Sequence, residues 1–272
     1  MAQLKRGDKA LVTGASSGIG EAYADALAAR GLNLVLVARR EDRLRDLAAR
    51  LHKEFGIDAQ VLRADLADAT DLARVEDELR SGGINLLVNN AGFGAYMAFV
   101  ALPPDRAEEL LRLKVIAPTR LARAVLPSMV ERGSGAVINV ASQLAFSGAL
   151  HMPHLPIRAT YAGANAYLVT FSQQLQGEVG GRGVRIQVLC PGLVSTDFHR
   201  IQNRDVSALP NVMAAKDIVA ASLAALELDE VICSPTVGDP SLVSAWERAG
   251  SRLFESNEGV VADRYLTKQT EG

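Results

Sequence analysis

Residues 9–20 read K-A-L-V-T-G-A-S-S-G-I-G, and their reading decides the fold. A short apolar run stops at Thr13, glycines follow at positions 14, 18 and 20, and a helical pattern begins. Gly14, Ser16, Ser17, Gly18, Ile19 and Gly20 thus form a turn between a strand and a helix N-terminus. A diphosphate can approach the backbone there and sit on N–H groups that have no partner inside the helix. Glycines also end strands without binding anything, so the surrounding chain must carry the reading.

Further short apolar runs follow at 33–38, 59–63, 85–89, 136–141, 184–190 and 230–234, with amphipathic stretches between them. Such alternation predicts a doubly wound α/β fold: a seven-stranded parallel sheet with helices on both faces, in one domain spanning 1–272. Ligands bind beyond the carboxyl ends of the strands in such sheets, so functional residues should follow strand runs. The 272 residues are 49% hydrophobic and 22% charged, enough to build a sizeable core. A net charge of -2 offers no broad basic field for nucleic acid or anionic lipid. No apolar run is long enough to span a bilayer, and M-A-Q-L-K-R-G-D lacks the core of a signal peptide. Cys190 and Cys233 lie in apolar runs without C-x-x-C spacing, which argues against a disulfide framework and a zinc site. The expectation is a soluble cytoplasmic protein with no metal, no membrane and no nucleic-acid partner.

The second run ends N-L-V-L-V-A-R-R, placing Arg39 and Arg40 where an acidic residue would bind a ribose 2′-hydroxyl in an NAD site. No acid stands there before Glu41. The two arginines could simply open a solvated helix, but positive charge at a helix start opposes the dipole, and that conflict favours a bound anion. A guanidinium forks well onto phosphate, so Arg39 is read as the 2′-phosphate contact and the cofactor as NADP.

T-G-A-S-S-G-I-G, N-N-A-G at 89–92, a serine followed by Y-x-x-x, and P-G-L-V-S-T at 191–196 together resemble the short-chain dehydrogenase/reductase family. The motifs occur in the family's order from residue 9 to about 200. The resemblance implies a Rossmann-type sheet, with Asp65 and Leu66 bordering the adenine and Asn90, Ala91 and Gly92 lining the cofactor. Pro191 and Gly192 lead to Val194 and Thr196, which it places near the nicotinamide carboxamide.

The family uses a tyrosine as general acid or base, and Tyr161 in Y-A-G-A-N-A-Y-L matches it. A free phenol titrates at about 10, so proton transfer near neutral pH needs a neighbouring cation. The family supplies a lysine four residues on, but this chain has Asn165. Lys114, in L-R-L-K-V-I-A-P, falls where the family's catalytic asparagine is expected, so the two residue types look exchanged. Lys114 lies on an apolar stripe with Leu110, Leu111, Ala117 and Leu121. Its stem either snorkels to a rim or brings the ammonium to the site shared with the Asn165 amide.

Ser142 ends A-V-I-N-V-A-S and takes the family's carbonyl-orienting position. Counting back from Tyr161 instead suggests Ser147. Strand ends hold a side chain better than loop tips, which favours Ser142. The enlarged loop at about 143–160 carries His151 and His154, an H-x-x-H pair with no third ligand in view. The 193–213 segment resembles the family's substrate lid.

These readings converge on an NADP-dependent oxidoreductase that passes hydride between nicotinamide and a small-molecule carbonyl or secondary alcohol. Tyr161 would move the proton, Ser142 orient the oxygen, Lys114 supply the cation and Asn165 hold ribose or water. The alternative is a catalytically weak or inactive NADP-binding sensor or regulatory protein, suggested by the missing lysine. Resemblance also implies a homodimer or homotetramer formed through the helices that bear Lys114 and Tyr161.

Overall fold

The computed structural model describes residues 4–81, 83–94, 97–150, 159–195 and 211–266. The chain divides into two compact units, Met1–Thr236 and Val237–Gly272. The first holds the whole sheet. Its strands are β1 (Lys9–Thr13), β2 (Asn33–Ala38), β3 (Ala59–Arg63), β4 (Ile84–Asn89), β5 (Gly135–Val140) and β6 (Val184–Leu189), closed by a two-residue edge strand, Ile232–Cys233. All pair in parallel, in the order β3-β2-β1-β4-β5-β6 and then the edge strand. The seven runs expected from sequence are these seven strands.

The inner strands are apolar at most positions because both faces are covered, whereas edge strand β3 buries none of its residues. Leu11, Val35, Leu87 and Val137 join one buried cluster, whereas their neighbours Val12, Leu36, Leu86 and Ile138 join the other. The period of two along a strand sends successive side chains to opposite faces. On the second face lie α1 (Gly18–Ala29), α2 (Glu41–Phe55) and, late in the chain, the helix Ala215–Glu227. The first face takes α3 (Ala69–Arg80), which meets a helix further on through Glu76: its buried carboxylate pairs with Arg80 and with Arg120.

Strand order reverses between β1 and β4, which opens a crevice at their carboxyl ends. Strand β4 leads to α4 (Pro104–Leu111), which runs through a π-helical turn, Arg112–Ile116, into α5 (Ala117–Arg132). The sequence pattern suggests one continuous α-helix here, and Pro118 explains the departure. Proline has no N–H to give the carbonyl of Lys114, so the α ladder cannot pass through that position. The Ala117 N–H reaches back to Arg112 O instead. Strand β5 continues through a 3-10 turn, Gln143–Phe146, towards α6 (Ala159–Val179).

The helix after β2 starts at Glu41, with Glu41 and Asp42 in its first turn, where negative charge suits the dipole. Arg40 is its N-cap residue and Arg39 precedes it, so the two carboxylates of the first turn offset the positive charge at the helix start.

The helix Ala215–Glu227, α7, belongs to the first unit, and α8 (Ser241–Glu255), which buries none of its residues, belongs to the second.

Candidate functional site

The glycine turn is shaped by backbone contacts that tolerate no side chain. Gly14 and Gly18 have φ of +67° and +61°, a region that glycine enters freely. A Cβ on Gly20 would overlap the Gly14 carbonyl oxygen, and one on Gly14 would lie 2.7 Å from Asn90 Nδ2. The turn is therefore fixed from the neighbouring strand end. Asn90 Nδ2 donates to Thr13 O at 3.0 Å, while the Asn90 and Ala91 N–H groups donate to Thr13 Oγ1 at 2.9 and 3.1 Å. Thr13 Oγ1 in turn donates to Val88 O. Sequence reasoning missed Thr13, although its position between β1 and the glycines is the signal.

Ser17 is the residue before α1 and makes no side-chain cap. The first N–H groups of α1, at Gly18, Ile19 and Gly20, have no intrahelical acceptor. The rigid glycine cradle and these donors together fit a diphosphate. The Arg40 guanidinium lies across the turn, donating to Ser16 Oγ at 2.9 Å, Ser16 O at 3.1 Å and Ser17 Oγ at 2.8 Å. All three acceptors are neutral, so the full positive charge remains available to an anion. Arg39 is exposed and stands 3.6 Å from both Asp65 Oδ2 and Glu109 Oε1. Two arginines, not one, therefore border this end of the site. Asp65 Oδ1 also receives the Ala67 N–H, and Leu66 is buried against the core.

At the other end of the crevice, Lys114 is only 4% exposed. Its Nζ donates to Val140 O at 2.8 Å and lies 6.0 Å from the centroid of the Tyr161 ring. The stem passes Gly92 so closely that a Cβ there would lie 2.8 Å from Lys114 Cε. Burial lowers the amine to about 8, with the Cys190 sulfur working in the opposite direction. Burial also pushes that thiol up to about 12, so it is neutral and gives Lys114 no true counter-ion. The snorkelling arrangement is overturned: the ammonium ends inside, not at a rim.

Asn165 is fully buried one helical turn beyond Tyr161. Its Nδ2 donates to Tyr161 O at 2.7 Å, and its Oδ1 has no hydrogen-bond partner among the described residues. A buried unsatisfied acceptor costs about 1–3 kcal/mol, so the site calls for a hydrogen-bond donor. Tyr161 itself packs with Leu110 of α4, flanked by Phe93, Leu102 and Leu144.

Ser142 follows β5 in extended conformation, with its Oγ accepting the Leu144 N–H at 3.2 Å. Its own proton is not used in that contact. Ser147 Oγ, by contrast, donates to Leu144 O at 2.7 Å. A polar chain missed by sequence reasoning ties this end together: Asn89 Nδ2 to Asn139 Oδ1, Asn139 Nδ2 to Ser172 Oγ, and Ser172 Oγ to Leu168 O. It links the strand end before Asn90 to the helix that carries Tyr161.

Pro191 O accepts the Gln143 N–H at 2.9 Å, which holds the P-G turn beside the Ser142 segment. A Cβ on Gly192 would come within 3.3 Å of Gln143 Oε1. Val194 is buried in a two-stranded parallel ladder with Met213, Val194–Ser195 against Met213–Ala214. Thr196, His151 and His154 lie outside the described residues, as do residues 151–158 of the first expected substrate loop and most of the second. Among the described residues no group of three metal-ligating side chains occurs, and no helix is long and apolar enough to cross a membrane.

A reversed parallel sheet with a glycine cradle at its switch point defines a dinucleotide-binding α/β protein. The short chain dehydrogenase family model matches residues 8–207, and the chain belongs to that family. It is 36% identical to a short-chain dehydrogenase from Sphingobium yanoikuyae solved in complex with NADPH, with a TM-score of 0.90 over 95% of this chain and 100% of that one. Mouse very-long-chain 3-oxoacyl-CoA reductase is 33% identical over 204 residues, 72% of this chain and 62% of that protein. The human inactive hydroxysteroid dehydrogenase-like protein 1 is also 33% identical, over 70% of this chain and 56% of its own length. The chain thus matches about three-fifths of the length of these curated relatives.

Proposed function

We propose that this chain is an NADP-dependent oxidoreductase acting on a carbonyl or secondary-alcohol group. The observation that carries this reading is the buried Lys114 amine, held on Val140 O two residues before Ser142 and 6.0 Å from the Tyr161 ring. A protein that only had to fold would not need an amine at 4% exposure with no acidic partner among the described residues. NADP is favoured by Arg40 on the glycine turn and by Arg39 beside it, and by the NADPH bound in the Sphingobium relative.

The glycine turn and the first N–H groups of α1 would hold the diphosphate, and Arg39 and Arg40 the 2′-phosphate. Leu66 and Asp65 would border the adenine; Asn90 to Gly92, Pro191, Gly192, Val194 and Thr196 would line the remainder. When bound, the nicotinamide supplies or takes the hydride. Ser142 donates its unused hydroxyl proton to the substrate oxygen and fixes its direction. Tyr161 gives or takes the proton at that oxygen, and Lys114 lowers the cost of the phenolate by placing a positive charge nearby. Asn165 Oδ1 accepts from a ribose hydroxyl or a water. Lys114 and Asn165 would then divide the work of the family's lysine and asparagine in exchanged positions. The same reading has the protein working in the cytoplasm as a homodimer or homotetramer.

A second reading, a weakly catalytic or inactive NADP-binding sensor, is favoured by Asn165 where the family has lysine, and by the inactive human relative. Following NADPH absorbance across a panel of aldehydes and ketones separates the two. Turnover that is lost in Tyr161→Phe supports the enzyme; NADPH binding with no turnover on any substrate supports the sensor.

A further inference from the structure

Arg39 is not a free cation waiting for phosphate. Its Nη1 is shared between Asp65 Oδ2 and Glu109 Oε1, each at 3.6 Å. Asp65 belongs to the loop after β3, where its other oxygen is tied to the Ala67 N–H. Glu109 comes from α4, an element that the nucleotide reading does not otherwise use. Its second oxygen pairs with Arg106, whose guanidinium carbon lies 3.9 Å over the Phe93 ring. The carboxylate is therefore held in place from one side while it faces Arg39 from the other.

We propose that Glu109 is a cofactor-discriminating residue: its carboxylate beside Arg39 opposes a 2′-phosphate and sets the ratio of NADPH to NADH affinity. The proposal rests on the NADP reading above. A phosphate monoester near neutral pH carries between one and two negative charges. Arriving at Arg39, it meets two fixed carboxylates well inside the Debye length of about 8–10 Å. Arg40, bonded only to neutral serine oxygens, is the opposing influence. A cofactor without the phosphate lacks that repulsion, and a carboxylate at this place can accept from a ribose hydroxyl. Glu109 thereby holds back a preference that two arginines would otherwise make extreme.

Glu109→Gln keeps the size of the side chain and an oxygen for Arg106 while removing the charge. Titrating NADPH and NADH into the full-length protein by calorimetry should show NADPH binding about fivefold tighter in the variant, from the loss of a Coulomb repulsion across a hydrated gap. NADH should stay within about twofold, and the gain should shrink in high salt. In an Arg39→Ala background the same substitution should still favour NADPH, because the repulsion does not pass through Arg39. An unchanged or reduced NADPH to NADH ratio would overturn the proposal, showing that Glu109 only aligns Arg39. A wild-type protein that binds neither nucleotide would overturn the cofactor reading itself, a result distinct from an unchanged ratio.

Discussion

Replacing Lys114 with methionine should reverse its effect on stability as the pH rises. Burial brings the Lys114 amine from 10.5 to about 8. At about 1.4 kcal/mol per pH unit, holding the charge inside at neutral pH costs on the order of 3 kcal/mol. Methionine removes that cost but leaves Val140 O without its donor, a loss of about 1–3 kcal/mol. At pH 7 the Lys114→Met protein should therefore be as stable as the wild type or up to about 2 kcal/mol more stable. Because the folded value is depressed, the unfolded chain binds more protons between about 8 and 10.5, and wild-type stability gains on the variant across that window. Above it the lysine is neutral in both states, and the variant should be the less stable by the missing hydrogen bond. Urea unfolding of both proteins at intervals from pH 7 to 11 measures this directly. A stability difference that stays flat across the window would refute the buried, unneutralised amine. Turnover should fall at least about a hundredfold in the same variant at pH 7, where the amine is charged, as for loss of a group that assists proton transfer, and the gap should narrow as the pH rises past about 8.

Gly20→Ala should lose NADPH binding in a fluorescence titration and lower the melting temperature, because its Cβ would overlap the Gly14 carbonyl oxygen. Ser142→Ala should reduce kcat by about two to three orders of magnitude, the usual loss for an oxyanion donor, whereas Ser147→Ala should cost less than tenfold. Steady-state rates for the pair decide between the serines, and the reverse ranking would move the orienting role to Ser147.

The fold was legible because parallel strands buried on both faces must be apolar at almost every residue. Runs such as 33–38 therefore announce themselves, down to their first and last residues. The glycine turn was legible for a related reason, since only glycine fits beneath Asn90. Charged groups were read less well. Arg39 and Arg40 are adjacent and chemically identical in the sequence, and only the structure shows one on neutral serine oxygens and the other between two carboxylates. Those carboxylates come from positions 65 and 109, and no local pattern relates them to residue 39. Thr13 and the Asn89–Asn139–Ser172 chain escaped notice likewise, because their partners lie on different strands and helices. Pro118 was in plain view, yet a helical stripe running across it concealed the change of winding.

That change of winding determines how much freedom the helix has to vary in length. A turn closed from residue i to i+5 advances less per residue than an α turn, so side chains before and after it do not share one stripe. Leu110 thereby joins the cluster around Tyr161, while Leu113, Ala117, Leu121 and Val125 join the core beneath the sheet. One rod serves two hydrophobic neighbourhoods at different angles. Deleting a single residue from 112–116 would rotate the side chains before the turn relative to those after it, and one neighbourhood would lose its anchor. The chemistry at Lys114 is thus tied to the number of residues around it as firmly as to their identity.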